Sequence, residues 1–422
     1  MTQKVCLLTI CLAVSTTLQA TAQNARPYDA LINDNTSFAF KFFRRALADT
    51  PDRNVITAPT ALSADFAFLQ NGAEDNAREE ILQTFDLKNL SIREINQQSS
   101  ALRQALSYPQ PPTLKHLPRS SANHPVPPPM CCSAPPERLV LAGSLWTQPL
   151  LAFRPEFLET GKKFYSFHAA RVQGRGSAAV KSVNDWAAQH TGGRLADVIG
   201  SWQKDDFLLV DTTWFKGAWI NPFSPTSTHP GQFTLLSHQK KEVPMMEKGG
   251  GIQYLRGNKF QAVRLPYHHA AMYVFLPDED STLKDFEQSL TADNWTAWIP
   301  AFNYRDGYLE LPRFHSEYHG EVSATLEDLG ITRAFTTTSS FAPAVSNPEG
   351  AMLTRVLQVV LLTVDERGTE VVSAGISGGV IGGVSAGPRP EPFRMIVNRP
   401  FFFAICDNQT QAILYMGAIV DP

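Results

Sequence analysis

Apolar positions fall in two rhythms along the 422 residues. Over 36–48, Phe38, Phe40, Phe42, Phe43 and Leu47 stand among polar neighbours at helical spacing. Thr60 or Ser63 starts a second helix whose apolar side includes Phe66, Phe68 and Leu69. Residues 79–85 and 92–106 read as two more amphipathic helices. Beyond residue 138 the rhythm changes. Segments 139–147, 207–215, 262–267, 270–277 and 307–314 read as strands. Helices are expected at 179–189, stopped by Gly192-Gly193, and at 281–290 and 323–329. Residues 357–364 are β-branched and apolar on both faces, which predicts a central strand. Segments 401–406 and 412–420 close the chain as strands. Helices crowd the first half and strands the second, which is an α+β arrangement.

The first residues read as an address. Lys4 precedes an apolar run from Val5 to Val14, followed by small residues ending Ala20-Thr21-Ala22. That order predicts a secretory signal peptide over 1–22 and a mature chain over 23–422. About ten apolar residues are too few to cross ~30 Å of hydrocarbon. Export outside the cell is expected, or into the periplasm if the source is a Gram-negative bacterium.

Composition narrows the class. Hydrophobic residues make up 43% and charged residues 18%, which excludes a mostly disordered chain and allows a large core. Net charge is −3, so neither a nucleic-acid partner nor an anionic membrane is indicated. Of five cysteines, Cys131, Cys132 and Cys406 outlast the expected signal, too few for a disulfide scaffold. Ten of the thirty prolines sit in 107–137, a stretch expected to be an exposed insertion loop.

Candidate chemistry is sparse. Gly375–Gly379 and Gly383–Gly387 both match G-x-S-x-G, yet Pro388, Pro390 and Pro392 follow. A hydrolase nucleophile needs a helix there, so the chain does not read as an enzyme. His268-His269 reads as a hairpin turn, two ligands short of a metal site. No metal and no cofactor are indicated.

The informative region is 366–397. The strand 357–364 runs into Asp365-Glu366-Arg367-Gly368-Thr369-Glu370 and then into small residues, with seven glycines among the twenty residues from Gly368 to Gly387. Proline is absent until Pro388, so the stretch could join a sheet as a strand. Thr369, Val371, Ser373, Gly375, Ser377 and Gly379 would then share an uncharged face fit for burial. Glu370 would fall on the opposite face, towards water.

Here the sequence resembles the serpin family, from about Asn35 to Pro422 with 107–137 as an interruption. Val364–Glu370 resembles the hinge of a serpin reactive-centre loop. Asn398-Arg399-Pro400-Phe401-Phe402-Phe403 resembles the strand that follows the loop, and Met416–Pro422 the C-terminal signature. Phe215–Trp219, Val243–Met246, and Asn184-Asp185-Trp186 with Thr191-Gly192 resemble further signature stretches. The resemblance implies one α+β domain with three β-sheets and eight or nine helices. It implies a monomer that traps a serine protease, or a cysteine protease, as an acyl-enzyme when the cut loop inserts into the central sheet. No cofactor is implied.

Carried over residue by residue, Glu366, Gly368, Thr369, Val371 and Ala374 match the hinge. Asn184, Trp219 and Gln358 match the region where the sheet must open. Ala58 and Ala61 stand where the family has serines, and Gln358 where it has histidine, although an amide still donates and accepts. Family spacing from the hinge glutamate places the cleaved bond at Gly382–Gly383, with Ile381 beside it. Small aliphatic residues there point to an elastase-like or subtilisin-like target. Val371-Val372 departs from the family's alanines and favours the alternative, a non-inhibitory binding or carrier member.

Overall fold

The structure is a computed structural model that describes residues 26–108, 137–174, 176–202, 207–347, 351–370 and 391–422. The expected signal peptide, Cys131, Cys132, most of the 107–137 insertion, both G-x-S-x-G matches, and Val371, Ala374, Ile381, Gly382 and Gly383 lie outside the described residues.

Four helices occupy the first quarter: Asp29–Asp49, Pro59–Leu69, Asp75–Thr84 and Ile92–Ala105. The first is lined with phenylalanine on two sides. Phe38 and Phe42 enter the main core, whereas Phe40 and Phe43 enter a second core with Trp295 and Phe402. Pro59 sits in the first turn of its helix, where its missing N–H costs nothing. Ser91 and Glu94 form a reciprocal cap on Ile92–Ala105. Helix Ser177–Thr191 ends on Gly192 at φ +63°, as its glycines predict. Ten α-helical segments occur among the described residues.

The strands form two hydrogen-bonded sheets. One has nine strands, including Lys240–Gly257, whose first part pairs with His229–Thr234 and whose last part pairs with Phe260–Pro266. Gly249-Gly250-Gly251 lies between these parts, with Gly250 at φ +107°. The expected three sheets are two among the described residues: Lys240–Gly257 stays paired with Asn303–Pro312 on both sides of the glycines, which joins the two parts into one sheet. The polar, glycine-rich sequence of Lys240–Gly257 hid it from pattern reading.

The six-stranded sheet runs Phe314–Glu321, Arg355–Asp365, Gly368–Thr369, Phe207–Ala218, Arg138–Thr147, His168–Arg171. The expected single strand at 307–314 is two. Asn303–Pro312 belongs to the nine-stranded sheet and Phe314–Glu321 to this one. Pro312 cannot continue a ladder as donor, and the Arg313 N–H turns to the Pro244 carbonyl at 2.9 Å.

Candidate functional site

At the centre of the six-stranded sheet, Arg355–Leu361 pairs in parallel with Leu208–Trp214. Further along, the two strands separate. The two-residue strand Gly368–Thr369 lies between them, antiparallel to both. The sheet is therefore closed over one part and wedged open over the other.

Local chemistry holds the wedge. The Asp365 carboxylate accepts from the Arg367 and Gly368 N–H groups at 2.8 and 3.2 Å and turns the chain back. Gly368 permits the approach: a Cβ there would lie 2.1 Å from the Gly217 carbonyl oxygen. Thr369 is fully buried, and its hydroxyl shares a 2.6 Å hydrogen bond with Tyr267. Tyr267 stacks on Trp219 at 4.4 Å. Trp219 donates from Nε1 to the Asp365 carbonyl and from its backbone to the Arg367 carbonyl, both at 2.9 Å. Trp219 thus clamps the turn.

Glu366 is buried beneath the turn. Arg313 donates to its carboxylate from Nε at 2.7 Å, and Thr228 donates as well. Burial alone would raise its pKa; the hydrogen bonds from Arg313 and Thr228 outweigh that and hold it below the ordinary value.

Glu370 departs from expectation. Instead of facing water it accepts from Arg194 Nε at 2.7 Å, in a half-buried ion pair, with Arg194 stacked over Trp214. Its backbone is left-handed, at φ +50°. Burial still raises its carboxyl, with Arg194 pulling the other way.

In the closed part, Gln358 and Asp211 are register partners. Gln358 Nε2 donates to Asp211 Oδ2 at 2.7 Å and to the Ala58 carbonyl at 3.2 Å, while its Oε1 accepts from the Ala58 N–H at 3.1 Å. The amide therefore ties both central strands to the start of helix Pro59–Leu69. Asn184 does not join it. Its carboxamide accepts from the Val198 and Ile199 N–H groups at 3.1 and 3.0 Å and donates to the Ile199 carbonyl at 3.0 Å. It pins helix Ser177–Thr191 to the chain that follows, so its assignment beside Gln358 is corrected.

The partner that pattern reading missed is Asp211, with Asp65. Asp211 is fully buried in FLLVDTTWF, and a carboxylate in so apolar a strand was the available signal. Burial pushes it up to about 7, with the Gln358 hydrogen bond opposing. Asp65 is raised well above its ordinary value, by burial first and then by Asp211. The two acids meet across Gly143, the register partner of Asp211: a Cβ on Gly143 would lie 1.9 Å from Asp65 Oδ1.

A strand wedged between two parallel strands, under a glutamate–arginine lock, matches the arrangement implied by the hinge sequence. The family model described as "Serpin (serine protease inhibitor)" matches residues 33–422. The chain belongs to the serpin family. Human alpha-1-antichymotrypsin is 28% identical over 403 residues, covering 93% of this chain and 88% of that protein. Bovine (Bos taurus) Serpin A3-2 is 27% identical over 399 residues, covering 93% and 89%. Among solved structures, the thermophilic serpin tengpin in the native state superposes with TM-score 0.78 at 22% identity, covering 93% of this chain and 95% of that one. Thyroxine-binding globulin in complex with thyroxine superposes with TM-score 0.77 at 22% identity, covering 93% and 99%. Glu366, Gly368 and Thr369, expected in the hinge, lie in the turn and the wedge strand, Trp219 holds that turn, and Gln358 with Asp211 ties the closed strands. Among the described residues no helix is long and apolar enough to cross a membrane.

Proposed function

We propose that the protein is a secreted suicide inhibitor of serine proteases that works by loop insertion. The observation that carries this reading is the antiparallel wedge Gly368–Thr369 between two strands otherwise paired in parallel. Register extends the argument. Thr369 lies opposite Val364 and Gly217. Carried six residues on, the same antiparallel register sets Gly375 opposite Gln358 and Asp211. Full insertion would exchange the seven-pair parallel ladder between Arg355–Leu361 and Leu208–Trp214 for two antiparallel ladders. More hydrogen bonds form than are lost, at a net gain of about 1 kcal/mol each. The native state is then kinetically rather than thermodynamically protected.

Val371 and Ala374 continue the hinge in this reading, and the cleaved bond lies among Ile381, Gly382 and Gly383. An elastase-like or subtilisin-like enzyme is the target: its nucleophile attacks the loop, and it is trapped before the acyl-enzyme is hydrolysed. The mature protein begins after residue 22 and acts as an exported monomer. Mixing it with an elastase and a subtilisin, then running a denaturing gel, tests the reading. A covalent band at the summed mass supports inhibition; cleavage within 380–384 without that band overturns it for those targets. The second reading, a binding or carrier serpin, is favoured by Val371-Val372, where bulky side chains slow strand entry into a closing sheet. It predicts clean cleavage with no rise in thermal stability afterwards.

A further inference from the structure

A cavity of about 330 Å³ lies between helices Asp29–Asp49, Pro59–Leu69 and Ile92–Ala105 and the strand Arg138–Thr147. That is within the lower range of small-ligand sites. It reaches solvent past Ser107, Ser166 and His190, which are exposed. Much of its wall is apolar, with Leu102, Leu106, Leu139, Leu141 and Phe167. Set into that wall are buried polar atoms that nothing satisfies. Among the described residues Asn35 Oδ1, Ser63 Oγ, Asp65 Oδ2, Ser99 Oγ and Trp186 Nε1 lack a hydrogen-bond partner, and all five residues are more than nine-tenths buried.

Native interiors rarely leave one such group unpaired, because each costs about 1–3 kcal/mol. Five around one cavity mark a place that expects an occupant. Asn35 Oδ1 only accepts, Asp65 Oδ2 only accepts once ionised, the Ser63 and Ser99 hydroxyls do both and Trp186 Nε1 only donates; of the five, Asp65 alone can carry charge. The other cationic lining groups are otherwise engaged. Arg103 donates to the Phe164 carbonyl at 3.4 Å, and His190 shares a 2.8 Å hydrogen bond with the Trp186 carbonyl. Among the described residues Asp65 has no ion-pair partner, and Gly143 lacks a side chain where one would strike it.

We propose that this cavity binds a small amphiphilic amine, its ammonium seated on Asp65 and its apolar body against Leu102, Leu106, Leu139 and Leu141. A fully apolar molecule would leave unpaired the acceptors that an ammonium can serve, Asn35 Oδ1, Asp65 Oδ2 and the two serine hydroxyls. Burial and the neighbouring Asp211 hold the Asp65 proton in the empty site. Binding of R–NH₃⁺ therefore ionises Asp65 and releases one proton to solvent, so affinity rises with pH until Asp65 is already ionised in the empty site, then levels off and falls above the amine's own pKa. The proposal stands apart from protease inhibition and is read by binding alone.

The test uses the full chain with tryptamine and phenethylamine, against tryptophol and 2-phenylethanol as neutral isosteres. Calorimetry in two buffers of different ionisation heat should show amine binding with proton release, and isosteres at least tenfold weaker, a gap of about 1.4 kcal/mol. Asp65→Asn should lose at least tenfold of amine affinity and leave the isosteres unchanged. Ala64→Leu, which fills the cavity from its helix wall, should lose both classes. Retained thermal unfolding shows that each variant folds. Isosteres that bind as well as amines, undiminished amine binding by Asp65→Asn, or no amine binding to the wild type at ~1 mM overturns the proposal.

Discussion

Replacing Asp211 by Asn should stabilise the protein, and more so at higher pH. The change is nearly isosteric, and the new amide oxygen can still accept from Gln358 Nε2, now 2.7 Å from Oδ2. What disappears is an acid that the fold does not want ionised. Its ordinary value of 3.8 rises to about 7 through burial, against the help of Gln358. A group with a raised folded pKa keeps its proton in the native state while the unfolded chain loses it. Stability therefore falls as pH rises from about 4 to about 7, then levels off. At about 1.4 kcal/mol per pH unit the ceiling is roughly 4 kcal/mol, and coupling to Asp65 lowers what one substitution recovers. The expected gain is near zero at pH 4 and roughly 2–3 kcal/mol at pH 8, or a few degrees in a chain of this size. Scanning calorimetry at one fixed scan rate, on wild type and variant at both pH values, measures it. An equal gain at both pH values, or a less stable variant at pH 8, refutes the assignment of a buried, proton-holding pair.

Three further outcomes follow from the hinge. Thr369→Arg would force a guanidinium into a fully buried site beside Tyr267, a penalty of several kcal/mol (about 3–5), so the hinge should stay out of the sheet. The expected result on a denaturing gel is cleavage without a covalent protease band; unchanged trapping removes Thr369 from the hinge. Gly375→Leu, in the extended register, sets a side chain between Gln358 and Asp211. Stopped-flow inhibition should slow while the rate of loop cleavage is unchanged, and an unchanged ratio of inhibition to turnover rejects that register. Gly368→Ala brings a methyl to within 2.1 Å of the Gly217 carbonyl oxygen, which should cost about 1–3 kcal/mol and free the wedge. Faster amide exchange at Thr369, whose N–H belongs to the ladder, would report it; unchanged exchange would show that the strands simply move apart.

Wherever the determining contacts were near in sequence, the pattern of residues was enough. Helical spacing around Phe38–Leu47, the Ser91–Glu94 cap, the glycine stop after Thr191 and the β-branched run ending at Val364 each specify their element locally. The order of signature stretches, from Asn184 to Pro422, likewise carried the family. Other features required the fold. Pro312 and Arg313 divide one apparent strand between two sheets because Arg313 is claimed by Pro244 and Glu366. Glu370 turns from water to Arg194, 176 residues away in sequence.

The tie across the closed strands depends on tertiary structure in the same way. Gln358 meets Ala58 across 300 residues and Asp211 across 147. No periodicity encodes that meeting; it follows from the parallel register of two strands and the helix packed beneath them. By itself the sequence determined an α+β serpin, because the signature stretches that carry the family are local strings. Only the tertiary structure decided that two carboxyls, Asp65 and Asp211, share the interior beneath Gly143. Their raised proton affinity is a property of buried neighbours, which neither aspartate has in the unfolded chain.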